Sequence, residues 1–232
     1  MKTRVTIKSF LFIVVIIFGI IGSSVTTATP IGIDSGTVCA ALGILKGDGS
    51  GVTVEYLSKP LQRYQVVVLA MRFFEEGLDV ETINYSEWTD NFDDVKDNPA
   101  LWDGGKNQLA YIHEHPEIGF VGVGNNKFEP LRTITGKELY VLALNLLGYS
   151  SGVDYTWDNV ITKAESYGVD LGIVYSSLIN ADLADAMVNL MLCKMKDSNR
   201  IFIETLIEKG VVDATAAAQY GFIAFPSDVV MI

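Results

Sequence analysis

The sequence predicts a mainly α protein built from helical units that share one core. Three observations predict it. Apolar residues recur at helical spacing in several stretches. A worn pattern of glycine-bounded apolar turn, polar loop and amphipathic helix is written three times. Strand signal is thin, because only Val52 to Tyr56 alternates, and weakly, so it is left as a loop or a short strand.

The N-terminus reads as an export signal over 1–28. Lys2, Arg4 and Lys8 precede an apolar run from Phe10 to Ile21, and Ser23, Ser24, Thr26, Thr27 and Ala28 supply small residues for cleavage. The run is shorter than the ~20 residues a membrane span needs, and no later stretch approaches one, so no stable membrane insertion is expected after cleavage. An uncleaved anchor is the alternative.

The first unit, 29–90, contains Gly43-Ile44-Leu45-Lys46-Gly47 and the loop Asp48-Gly49-Ser50-Gly51. A helix from near Leu61 places Leu61, Tyr64, Val67, Val68, Met71 and Phe74 on one face. The second unit, 91–150, opens with Phe92-Asp93-Asp94-Val95 and Trp102. Its first helix runs through Leu109, Ala110 and Ile112 and stops at Pro116, which cannot continue a helix interior. Gly119-Phe120-Val121-Gly122 forms the turn, and a second helix carries Leu139, Leu142, Ala143, Leu146 and Leu147 to Gly148. Thr135-Gly136-Lys137-Glu138 has the spacing of a capping box, which predicts reciprocal bonds between Thr135 and Glu138. The third unit, 151–212, has Trp157, a short helix to Tyr167 and Gly168, and a long helix from about Ala181 with Leu183, Met187, Leu190 and Met191 on one face. A last helix near Arg200 to Lys209 leads to Gly210, and 213–232 forms a C-terminal tail. Units this short cannot bury their helices alone, so a shared core is expected.

Composition excludes some classes. Hydrophobic residues make up 49% of the 232, too many for a disordered chain. The formal charge of -11 repels phosphate backbones, which argues against a nucleic-acid partner. Cys39 and Cys193 are too few for a disulfide framework and read as buried small apolar residues. His113-Glu114-His115 invites a metal reading, but i, i+2 positions do not share a helix face, and no metal or other cofactor is expected. Asp48-Gly49-Ser50-Gly51 lacks the carboxylate ladder of a calcium loop. Asp93, Asp94, Glu114 and Glu117 offer carboxylates, yet nothing in the sequence sets two across a cleft, so no catalytic residue is assigned and the chain is expected not to be an enzyme.

The motifs resemble the S-layer homology family, whose pattern is roughly F-x-D-V, a tryptophan, a glycine-bounded apolar turn, F-x-P, and I-T-R-A-E opening a helix. The second unit carries most of it in Phe92-Asp93-Asp94-Val95, Trp102, Ala110, Gly119-Phe120-Val121, Phe128-Glu129-Pro130 and Ile134-Thr135-Gly136-Lys137-Glu138. The first keeps Gly43 to Gly47 and Leu61-Gln62-Arg63-Tyr64-Gln65, and the third keeps Trp157 and Leu178-Ile179-Asn180-Ala181-Asp182. The resemblance implies three repeats in a pseudo-threefold helical bundle, the third degenerate. It implies an exported protein of the cell wall or surface layer that binds an anionic, often pyruvylated, secondary cell-wall polysaccharide in grooves between units.

The arginine of I-T-R-A-E is the family's usual contact to the acidic group. Only Arg63 keeps it, while Gly136 and Asn180 hold the matching positions. The ligand-binding candidates are therefore Arg63, Lys137 as a weaker point charge, Trp102, and the turn glycines Gly119 and Gly122. Arg63 is either a carboxylate clamp or a solvated charge in a first helical turn. Trp102 either stacks on a sugar or packs, and Trp157 is expected to pack beneath its bundle. Glu138 is expected to cap rather than bind. Two further readings stand beside the anchor: a scaffold that has lost its glycan and serves in surface-layer packing with other proteins, and a wall-acting enzyme.

Overall fold

The computed structural model describes residues 34–74, 90–173 and 177–224, save the side chains of Phe74 and Glu117. The expected export signal lies outside the described residues, as do Pro226 and the apolar end of the tail. Among the described residues the protein is mainly helical. Its elements are α1 (Ser35–Ala41), α2 (Val54–Ser58), α3 (Arg63–Phe74), α4 (Asp103–Glu114), α5 (Gly136–Leu146), α6 (Val160–Ser166), α7 (Asn180–Met191), α8 (Phe202–Glu208) and α9 (Ala214–Gln219), with a 3-10 turn at Pro116–Ile118 and isolated bridges in place of strands.

Side chains in the first turn define the helix starts. The third helical residue reaches back to the N–H before the helix in four cases: Gln65 accepts from Gln62 at 2.9 Å, Glu138 from Thr135 at 2.8 Å, Asp182 from Ile179 at 2.7 Å and Glu204 from Ile201 at 3.0 Å. Asp34, Thr53 and Asp213 cap α1, α2 and α9 through side-chain oxygens. Thr53 corrects the reading of Val52 to Tyr56 as loop or strand. Its Oγ1 accepts from the Tyr56 N–H at 3.1 Å, and Glu55 in the first turn suits the helix dipole.

The helix ends follow a second rule. After α1, α5, α6, α8 and α9 a left-handed glycine turns the chain, and the next residue's N–H bonds back into the last turn, as in Tyr149 to the Leu144 oxygen at 2.9 Å. The residue after each glycine is apolar or aromatic and packs inward, which is why the pattern was visible as a glycine-bounded apolar turn.

Three short segments meet where the long helices begin. The Leu61 N–H donates to the Leu178 oxygen at 2.9 Å, and the Ile134 N–H donates to the Leu61 oxygen at 2.9 Å. Bridges pair Pro60 with Ile179 and Gln62 with Thr133. Leu61, Ile134 and Leu178 are all buried there. Two residues onward start α3, α5 and α7, at Arg63, Gly136 and Asn180. Their first turns therefore converge, which brings Arg63 of α3 against Glu138 of α5.

One continuous core runs from Val38 to Phe222. Helix α7 packs on α1 and α2, α3 on α4 and α5, and α5 on α6. The segment read as a tail contains α9, with Ala217 and Ala218 buried. Helix α8 covers the end of α3, where Phe202 meets Phe73 edge-on at 5.9 Å and Lys209 donates to the Phe73 oxygen at 3.0 Å. Cys39 and Cys193 are free thiols, and burial pushes them up to about 12 and about 11.

Candidate functional site

A cavity of about 650 Å³ opens between the 3-10 turn, the start of α5 and the α5–α6 loop. Arg63, Arg132, Thr135, Glu138, Asn145, Tyr155 and Trp157 line it, together with the turn from Gly119 to Val123. Its size lies within the range of ligand pockets, roughly 300–1,000 Å³.

The backbone at one wall is fixed by Gly119. It ends the 3-10 turn at φ 92°, and a Cβ there would stand 1.7 Å from Asn145 Nδ2. Asn145 in turn accepts from the Tyr155 hydroxyl at 2.5 Å. The turn, α5 and the loop after α5 are thus locked around one amide.

The floor is a chain of alternating charges. Arg63 is 4% exposed. Its Nη2 donates to the Val121 oxygen at 2.7 Å, its Nη1 donates to the Phe128 oxygen, and its guanidinium lies 4.0 Å over the Phe128 ring. Nε stands 2.9 Å from Glu138 Oε1 as an ion pair, without the alignment of a hydrogen bond. Burial works against the Arg63 charge, and Glu138 offsets part of that. Glu138 also takes a two-pronged contact from Arg132, with Nη2 at 2.7 Å and Nη1 at 3.2 Å. Arg132 Nε donates to Glu129 at 2.7 Å. The Arg132 side chain remains one-third exposed at the cavity.

Thr135 and Glu138 form a capping box. Thr135 Oγ1 accepts from the Glu138 N–H at 3.3 Å, and Glu138 accepts from the Thr135 N–H. Burial alone would raise the Glu138 carboxyl. Arg132, Thr135 and Arg63 outweigh it and hold the group below the usual range. A depressed folded value stabilises the protein above the ordinary glutamate range, and that stability is lost as pH falls through the folded value. Glu138→Gln keeps the box but not the charge. Its acid unfolding curve is therefore expected to lose part of its steepness below about pH 4.3, measured by circular dichroism against the parent.

The structure brings Arg63, Gly119, Gly122 and Glu138 together, with Lys137 at the mouth, and leaves Trp102 apart. Trp102 lines a separate cavity of about 170 Å³ with Lys46, Tyr64 and Arg72. Lys137 stands 5.0 Å over the Trp157 ring. Trp157 departs from expectation: it is 52% exposed at the cavity mouth instead of packed beneath the bundle, because α6 begins beyond it and no described helix covers its outer face. Arg63 is not a solvated charge, since the convergence at Leu61 buries the first turn of α3. Arg132 escaped the sequence reading. It sits in a loop, outside any helix start, and reaches the cavity because Glu129, at φ 57°, turns the chain back toward α5.

The histidines diverge. His113 meets Phe92 edge-on at 4.6 Å, while His115 stacks on Tyr111 at 4.1 Å. Among the described residues no three His, Cys, Asp or Glu side chains are grouped to hold a metal ion. Likewise, no described helix is long and apolar enough to cross a membrane. No family model, curated protein or solved structure matches the chain.

Proposed function

We propose that the chain is a non-enzymatic surface anchor that binds an anionic cell-wall polysaccharide in the cavity above Arg63. One observation carries the reading. In a protein of formal charge -11, two arginines gather at this cavity, with Glu138 lining it and Glu129 paired to Arg132. Arg132 is one-third exposed at that surface, with one Nη2 N–H left over from its bonds to Glu129, Thr133 and Glu138, and the half-exposed Trp157 offers a flat apolar face beside it, a pairing suited to a carboxyl-bearing sugar. The matching starts of α3, α5 and α7 around Leu61, Ile134 and Leu178 support a three-unit, pseudo-threefold arrangement of the family type.

In this reading Arg63 acts from below. It braces Glu138 from the buried side, while Arg132 and Thr135 do most to hold that carboxylate ionised, and Glu138 in turn orients Arg132. Among the described residues Glu138 is the one carboxylate lining the cavity, and Arg132, Thr135 and Arg63 hold it ionised, which suits a structural acid better than a general acid.

One observation favours the scaffold reading instead. The Arg63 guanidinium is already spent on Val121, Phe128 and Glu138. The deciding test is binding of the mature chain to purified sacculi, with and without acid extraction of the secondary polymer. Binding that vanishes on extraction supports the anchor. Equal recovery with extracted and intact sacculi, or none with either, leaves the scaffold.

A further inference from the structure

We propose that the cavity beside Trp102 is a second site for a carboxyl-bearing sugar, held by cations at positions the first site does not use. The proposal rests on the polymer-binding reading, and it gives each chain two grips on one polymer, which adds avidity. This cavity of about 170 Å³ lies between the turn after Gly43, one face of α3 and Trp102. It is built on the positions that build the Arg132 cavity. The Asn180 N–H donates to the Lys59 oxygen at 3.0 Å, as the Arg63 N–H donates to the Arg132 oxygen at 2.9 Å. Counted from the helix starts, Gln65, Val68 and Arg72 of α3 match Glu138, Val141 and Asn145 of α5. Left-handed Gly43 leads into one cavity wall and left-handed Gly119 into the other. Trp102 and Trp157 are 57% and 52% exposed, each at its own cavity.

The charges of the two cavities are distributed differently. Beneath the smaller one, Asn180 and Lys59 hold the places of Arg63 and Arg132. Asn180 is buried and donates to the Tyr56 oxygen at 2.9 Å, and Lys59 is taken by Asp48 at 2.7 Å. Along its walls three changes run the other way. Gln65 stands for Glu138, Arg72 for Asn145, and Lys46 for Gly122, so two cations and, among the described residues, no carboxylate line the space. Gln65 Oε1 accepts from the Gln62 N–H at 2.9 Å, which leaves its Nε2 as a further donor. Arg72 Nη1 reaches the Ile44 oxygen only at 3.5 Å, the outer limit of a hydrogen bond, so its planar fork is available to a ligand carboxylate. Trp102 is seated beside these donors. A Cβ at Gly104 would stand 1.8 Å from its Cζ3 and one at Gly105 2.9 Å from its Nε1, so the indole lies back on the first turn of α4. Paired glycines disfavour a helix, and here they give the ring its seat and leave the rest of it exposed for a sugar.

The test titrates the isotope-labelled mature chain with the carboxyl-bearing monosaccharide released from the extracted polymer. The indole N–H resonances of Trp102 and Trp157, assigned with Trp102→Phe and Trp157→Phe, report the two cavities separately. Both are expected to shift, and the same sugar with its carboxyl reduced to an alcohol should shift both less at equal concentration. Arg72→Gln, checked for folding by its thermal melt, should weaken the Trp102 response roughly tenfold, the scale of one charged hydrogen bond, and leave the Trp157 response unchanged. Arg132→Ala should do the reverse. A Trp157 response without one at Trp102, or a Trp102 response that Arg72→Gln leaves intact, overturns the second site while the anchor stands. A response at Trp102 alone upholds this site and moves attachment away from the Arg132 cavity. No response at either tryptophan overturns both.

Discussion

The Glu138→Ala protein is expected to melt about 10 °C below the parent. Two losses combine. The Thr135 N–H at the head of α5 loses its partner, and Arg63 is left as a buried cation facing no anion. Removing one member of a buried pair costs about 3–5 kcal/mol, because the remaining charge keeps its desolvation penalty. The side chains of Arg63 and Glu138 are 5% and 12% exposed, so little solvent screening relieves it. Glu138→Gln should cost less, since glutamine still completes the box. Combining it with Arg63→Met should cost less than the sum of the two, because the orphaned charge is gone. Thermal melts of the four proteins check this directly. Additive losses would show that the pair is not coupled.

Leu61→Ala is expected to lower stability by about 3 kcal/mol, within the usual range for leucine truncated in a core. Leu61 is fully buried at the point where the segments before α3, α5 and α7 join. The backbone bonds to Leu178 and Ile134 survive the substitution, so the cost is that of the cavity left behind. No helix can close that space without tilting the other two away from the joint. The loss should appear in the urea midpoint with an unchanged slope. A change within about 0.5 kcal/mol would mean that the three segments do not depend on one another.

The helices and their limits were legible because local chemistry writes them. Gly148, Gly168 and Gly210 stop helices where the sequence placed those ends, and Thr135 with Glu138 forms its box, whereas α1, before the Gly43 turn, was not read from the sequence. α2 was misread because Val52 to Tyr56 is too short for a 3.6-residue period to show, while its cap, Thr53, is a single residue. The site was harder. Arg63 drew attention as a cation in a first helical turn, which is unfavourable when exposed. Its burial comes from pairing between Leu61, Ile134 and Leu178, far apart in sequence, and no local pattern announces that. Arg132 was passed over for the same reason, since its role depends on the left-handed backbone at Glu129 and on Asp94 holding the N–H groups of Phe128 and Glu129.

The measurement that bears most directly on the anchor is the affinity of Arg132→Ala for intact sacculi, beside the parent and at equal folded fraction. Arg132 is partly exposed, and removing it leaves Glu138 with Thr135 and Arg63, so the stability loss should be about 1 kcal/mol or less. The account predicts binding at least roughly tenfold weaker, the cost of losing a charged hydrogen-bond partner, with a melting temperature within a few degrees of the parent. Undiminished binding by a folded Arg132→Ala protein would contradict it and remove this cavity as the site of attachment.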